Sequence, residues 1–225
     1  MIKYMRLEWK KLDTKNVLAE VWIYLIIMML LPTFFIMKVL PVFGQSYASA
    51  IELNSFIQLG YVLFGASLIN HVFIEQYKNK TMALSFSYPV SRKTLFTSKI
   101  LFIAVAVFIV SIISYLLSGL TTYVLNLFFS FIEGELTASH LTSYISKILI
   151  GSMLNSIICF VPLFLFGILK RAVVPTIVCS LASMQLPNFS SFIHVQPETI
   201  IIVLTVLGVI SIGASIMTAE KVGEI

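Results

Sequence analysis

Charge is scarce in this chain. Only 11% of its 225 residues are Asp, Glu, Lys or Arg, against about 25% in soluble domains. Cysteine is limited to Cys159 and Cys179. Both fall inside apolar runs, where a thiol is a small apolar filler, so no disulfide is expected. The chain contains no GxxxxGK[ST] loop, so ATP is not expected to bind by that route, and it contains no HExxH or GxSxG. Its three histidines, His71, His140 and His194, stand in separate segments. An intramembrane enzyme would need acids, bases or nucleophiles gathered at one depth, and no such set is visible. No acid lies near the middle of an apolar run, which argues against a proton relay through the spans. The first twenty residues are charged and no small-residue cleavage site follows, so no cleavable signal peptide is expected.

What the chain does have is hydrocarbon. It is 59% hydrophobic, with a mean hydropathy of +1.00. Six apolar runs can be drawn: Val21–Met37, Phe56–Ile74, Ile100–Leu127, Ile148–Leu169, Ala172–Leu186 and Thr199–Met217. A membrane crossing needs roughly 17–25 such residues. The runs predict an all-α membrane protein with six transmembrane helices, forming one domain over residues 1–225. The third run is long enough to tilt or project, and the fifth is short. Pro32 should kink the first span, and Pro41 and Gly44 should end it.

Lys and Arg set the orientation. With both termini inside, the inner side holds Lys3, Arg6, Lys10, Lys11, Lys15, Lys78, Lys80, Arg92, Lys93, Lys99, Lys170, Arg171 and Lys221. The outer side holds Lys38 and Lys147. That bias predicts a multi-pass protein of the cell membrane with cytoplasmic termini. The net charge of +5 then reads as topology and requires no nucleic-acid partner.

Residues 1–18 read as an amphipathic helix in the inner interface. Ile2, Met5, Trp9 and Leu12 share one face over Ile2–Lys15, and Lys3, Arg6, Lys10 and Lys11 lie mostly off it. Gln45–Glu52 and Phe131–Ser146 read as outer loops. The second run carries Asn54, Gln58, Tyr61 and Gly65 at helical spacing. The third carries Ser111, Ser114, Ser118 and Thr121, and the fifth carries Thr176, Ser180 and Ser183. Such stripes face other helices or a water-filled path. His71 and Glu75, four apart, could hold a metal, but without another His or Cys nearby they read as interfacial side chains. Pro187–Glu198 contains Phe189, Phe192 and Ile193, which suit a broken or re-entrant fifth helix sheltered by lipid or protein. Gly208 and Gly213 suit close packing in the sixth span.

The longest polar interruption is Glu75–Lys99. Its base is expected to be held by Glu75 pairing with Lys78 or Lys99. Pro89 disfavours helix at Tyr88, and Ser91 can cap a new helix through Arg92 and Lys99 into the third span. Thr81–Ser87 reads as a short helix with Met82 and Phe86 on one face.

Glu75, Lys80–Thr81, Pro89-Val90-Ser91-Arg92 and Lys99 together resemble the motif of the second family of ABC-transporter permeases. In that family a Glu ends the second span, followed by a Gly-Thr pair, a Pro-x-Ser-Arg turn and a Lys entering the third span. Lys80 stands here in the place of the family's Gly. The resemblance implies a cytoplasmic coupling loop over residues 75–99, with Glu75, Lys80, Thr81, Met82, Phe86, Pro89, Ser91, Arg92 and Lys99 at the site that docks a separate ATPase. It implies ATP and Mg on that partner, no cofactor on this chain and a second permease copy or relative. It also implies a translocation path near Gln58, Tyr61, Gly65, Thr176, Ser180 and Ser183. The size is similar to Gram-positive exporters of bacitracin, lantibiotics and cytolytic peptides, which implies an amphipathic peptide cargo. The alternative is a membrane sensor or immunity protein that binds a peptide without moving it.

Overall fold

A computed structural model describes residues 2–12, 14–43, 46–79 and 91–220. The expectations placed on Lys80, Thr81, Met82, Phe86 and Pro89 lie outside these residues, as does the side chain of Ile193. Among the described residues nearly all are helical and no strand occurs. Five helical segments among them are long and apolar enough to cross a membrane: Thr14–Lys38, Tyr47–Lys78, Arg92–Phe129, Ala138–Ile158 and Pro197–Thr218. The fifth apolar run is shorter, a helix and 3-10 turn over Val173–Phe189.

A leader helix, α1 (Ile2–Lys11), precedes α2 (Thr14–Phe43). The leader therefore stops short of the expected Lys15, which belongs to α2. Helix α2 continues through both Pro32 and Pro41 instead of ending at Pro41. The second span is assembled from α3 (Tyr47–Gln58), α4 (Tyr61–Ile69), a π-helical stretch over Asn70–Ile74 and α5 (Glu75–Lys78). It begins inside the expected outer loop because Ser46 caps it, its Oγ accepting from Ser49 N at 3.2 Å. This span is the central one. Of its apolar window 72% is buried, against 22–39% in the other four.

Helix α6 (Arg92–Phe129) is the third span. Its 38 residues make it about 57 Å long at 1.5 Å per residue. Ser91 caps it, accepting from Thr94 N at 3.2 Å. The fourth span, α7 (Ala138–Ile158), also starts inside an expected loop. There Thr137 Oγ1 lies 3.0 Å from His140 Nδ1, and the Thr137 N–H donates to the same nitrogen at 3.4 Å. Helices α6 and α7 lock reciprocally. Tyr144 of α7 sits where a Cβ on Gly119 would be, and Tyr115 of α6 where a Cβ on Gly151 would be. The fourth apolar run breaks after Ile158 and resumes as a π-helical stretch over Leu163–Leu169. Pro162 lies in the break, where it has no N–H to continue the ladder.

Then follow α8 (Val173–Gln185), a 3-10 turn over Leu186–Phe189, α9 (Ser190–Ile193) and α10 (Pro197–Thr218). Gly208 lets α10 approach α7, since a Cβ there would lie 2.4 Å from the Ile157 carbonyl. Gly213 has open space beside it, so the expectation of close packing fails at that position. The Phe189 and Phe192 rings meet at a tilt with centroids 6.0 Å apart and are largely uncovered by the described residues, at 53% and 81% exposed.

Candidate functional site at the loop stem

The chain leaves α5 at Lys78 and re-enters α6 at Arg92, so these ends form the stem of the loop. The stem is built around one buried cation. The Lys99 ammonium donates to Glu8 Oε2 at 2.7 Å, to Gln76 Oε1 at 2.5 Å and to the Val72 carbonyl at 3.0 Å. All three of its N–H donors are thereby used. Gln76 Nε2 also donates to Glu8 Oε2 at 3.2 Å, and Lys11 Nζ donates to Glu8 Oε1 at 2.9 Å. Lys99 is fully buried, and Glu8 and Gln76 nearly so. The Phe73 ring completes the enclosure, its centroid 5.6 Å from Nζ.

A charge pair withdrawn from water is tolerated only when each lone pair and proton finds a partner, and this network meets that condition. Burial by itself would raise the Glu8 carboxyl. The ammonium of Lys99, aided by Lys11, outweighs burial and holds it below its ordinary value. The network ties three segments together: the leader helix, the end of the second span and the start of the third.

Other chain segments converge on the same stem. Arg171, at φ 50° in the turn before α8, lies 4.5 Å from the Tyr77 ring centroid. Arg92 Nη1 donates to the Glu220 carbonyl at 2.9 Å, and Lys93 pairs with the Glu220 carboxylate at 3.0 Å. The second pair is exposed and contributes little.

Glu75 does not hold the stem as expected. Its Oε2 lies 2.9 Å from His71 Nδ1 and its Oε1 accepts from Asn70 Nδ2 at 3.0 Å, while Lys99 bonds Glu8. The next residue, Gln76, occupies the face toward Lys99. Ser91, Arg92 and Lys99 do lie along the first turns of α6, but the acid that pairs with Lys99 comes from the leader. Glu8 was legible in principle. Met5, Glu8 and Leu12 fall at i, i+3 and i+7 on one face, so a lone acid interrupts the apolar side of an amphipathic helix.

Many polar groups of the span stripes bond inside the chain, while the hydroxyls of Tyr61, Ser111 and Ser180 are buried without a hydrogen-bond partner among the described residues. Pro32 has no N–H, which frees the carbonyl four residues earlier, at Met28. Gln58 Nε2 donates to that carbonyl at 3.3 Å and to Ser118 Oγ at 3.2 Å, and Gln58 Oε1 accepts from Ser114 at 3.0 Å. Between α3 and α4 the Val62 N–H turns to Leu59, leaving the Gln58 carbonyl to Asn155 Nδ2 at 3.0 Å. In the break after α7, the Phe164 N–H donates to Ser211 Oγ at 3.0 Å. Each irregularity is thus satisfied by a side chain from a neighbouring helix, as hydrocarbon surroundings demand.

Gln58, Tyr61, Gly65, Thr176, Ser180 and Ser183 are all buried within this chain. Gly65 meets Cys159, whose Cβ lies 2.3 Å from where its own would be. Thr176 and Ser183 bond back to the carbonyls of Ala172 and Cys179 on their own helix. Two cavities stand nearby. One of about 190 Å³ lies toward the far end of the bundle from the loop, between Tyr47, Asn54, Gly119 and Tyr144. One of about 370 Å³ lies between Met28, Phe35, Ile57 and Met184. None of the six path residues lines either. Among the described residues no cluster of His, Cys, Asp and Glu suits a metal ion.

The chain is similar to the uncharacterized protein YcbO of Bacillus subtilis (strain 168), with 32% identity over 152 residues. The match covers 66% of this chain and 66% of that protein, so about a third of each lies outside it. No protein-family description and no solved structure matches the chain.

Proposed function

We propose that this chain is the membrane subunit of an ATP-driven exporter of the second ABC-permease family. In this reading it crosses the membrane six times, with α8 and its 3-10 turn as a short, broken fifth crossing and both termini in the cytoplasm. Separate ATPase chains carry ATP and Mg and dock on residues 75–99. A second copy or relative completes the path, and the cargo is an amphipathic peptide.

The observation that supports this reading best is the stem. A loop that receives force from a soluble motor must be anchored to the helices it moves. Here the buried Lys99–Glu8–Gln76 network fastens both ends of the loop to the leader helix. The motif resemblance across Glu75–Lys99 falls on that same segment.

The test is co-purification with a co-expressed ATPase. Interface energy concentrates in a few apolar anchors, so Phe86→Ala should weaken docking by about 2 kcal/mol, roughly thirtyfold. Met82→Ala should weaken it less, because Met adapts. Ser139→Ala serves as the control. Wild-type recovery and transport in the double variant would remove the loop from the mechanism.

The second reading is a peptide-binding sensor or immunity protein that moves nothing. It is favoured by the burial of all six path residues within this chain. An exporter recovers an ATPase chain on purification and a sensor does not.

A further inference from the structure

We propose that Glu20, His71 and Glu75 form a proton-binding site that latches the first span to the loop end of the second. His71 Nε2 lies 3.0 Å from Glu20 Oε1 on α2, and Nδ1 lies 2.9 Å from Glu75 Oε2. An ionised carboxylate only accepts, and a neutral imidazole has a single N–H. Two acceptors facing each other at hydrogen-bond distance repel, so each contact needs its own hydrogen. The neutral ring supplies one. The second must be a bound proton, whether it resides on the ring or on a carboxyl. The geometry thus counts one proton beyond neutral histidine and two carboxylates.

The remaining carboxylate oxygens are engaged as acceptors. Ser67 Oγ donates to Glu20 Oε2 at 2.6 Å, and Asn70 Nδ2 donates to Glu75 Oε1 at 3.0 Å. The cluster is half-buried, with the His71 side chain 17% exposed, so the proton exchanges with solvent at the loop end.

Three cations of the neighbouring elements are committed elsewhere. Lys99 of α6 is bound to Glu8. Lys170 and Arg171 lie over the Phe166 and Tyr77 rings. Tyr24, one turn beyond Glu20, packs on Tyr61 and Phe64.

The site has a mechanical consequence. His71 belongs to the π-helical stretch Asn70–Ile74, and such stretches often mark functional sites within helices. The next turn of the same span carries Gln76, which holds Lys99. When the proton leaves, a ring nitrogen faces a carboxylate with no hydrogen between them, and the Glu20–His71–Glu75 chain that joins α2 to α5 opens. The latch closes at low pH and opens as pH rises through the range where histidine titrates. This inference rests on the contacts alone and does not depend on the exporter reading.

The test uses the full chain in lipid nanodiscs, with Cys159 and Cys179 replaced by Ala. Spin labels are attached through Lys15→Cys on α2 and Lys78→Cys on α5, both of which are exposed. The distance distribution should shift from one short component at about pH 5 to a longer one at about pH 8, with the short population falling at least about threefold. In Glu20→Gln the side-chain amide donates to the free ring nitrogen while the ring N–H serves Glu75. Both contacts then form without an extra proton, and the short distance should persist across the same range. Glu75→Gln makes the same prediction and stands in if the first variant does not fold. A wild-type distance that ignores pH overturns the site. So does a Gln variant that folds and keeps the wild-type pH response.

Discussion

Gln58 shows how a single residue can be legible as polar and illegible as to role. Its place in a stripe with Tyr61 and Gly65 suits a path or a packing face equally well. The structure gives its amide to Met28, whose carbonyl Pro32 frees. The two partners are 30 positions apart, a distance that helical periodicity does not bridge. Replacing Gln58 by Leu leaves that carbonyl and the Ser114 hydroxyl short of partners, while Ser118 keeps Asn54. Each such orphan costs about 1–3 kcal/mol. Gln58→Leu should therefore lower the thermal unfolding midpoint in detergent. Ser156→Ala, whose hydroxyl bonds the Met153 carbonyl of its own helix, should leave it nearly unchanged.

Among the elements, α1 makes the connection of most consequence. Removing Lys99 strands a buried carboxylate, and breaking such a pair costs about 3–5 kcal/mol. Lys99→Met should release α1, read as protease sensitivity within residues 2–12. Adding Glu8→Gln should recover most of the loss, because no charge is then left unpaired. The same pair gives a pH signature. The folded-state value of Glu8 is depressed, so its stabilisation is complete above the ordinary carboxylate value and fades as pH falls through the lowered one. The unfolding midpoint should decline below about pH 4, and that part of the decline should vanish in Glu8→Gln. Helix approach makes a contrast within α10. Gly208→Ala drives a methyl into the Ile157 carbonyl and should destabilise by a few kcal/mol, about 1–3 for an overpacked contact. Gly213→Ala meets nothing and should be neutral or slightly stabilising in a helix.

At the scale of the whole molecule, five helical segments among the described residues reach spanning length, and the central one is the most buried. The proposed topology puts Ser85 and Ser139 on opposite sides. Single cysteines at these positions in intact cells, probed with a membrane-impermeant thiol reagent, should label at 139 and not at 85. The reverse pattern would overturn the orientation drawn from Lys and Arg. The described contacts that join the loop stem to α1, to the turn at Arg171 and to Glu220 predict that the stem moves as one body. Hydrogen exchange should protect residues 72–79 and 94–103 together, and Glu8→Gln should loosen both.

Composition and periodicity alone determined that this chain is helical and built for lipid, because a bilayer penalises charge and unpaired backbone so heavily that the runs must be apolar and helical. They also located the start of α6, since a Ser cap acts within three residues. The expected loops at 45–52 and 131–146 were cut short by caps at Ser46 and Thr137, also local signals. What only the tertiary structure decided is where polar side chains find partners. Lys99 takes Glu8 across 91 positions, His71 takes Glu20 across 51, and Gln58 takes the carbonyl freed by Pro32. In a low-dielectric interior a charged or strongly polar group left unmatched is costly. Yet the match is made by helices that meet in space, and one-dimensional spacing carries no record of which helices those are.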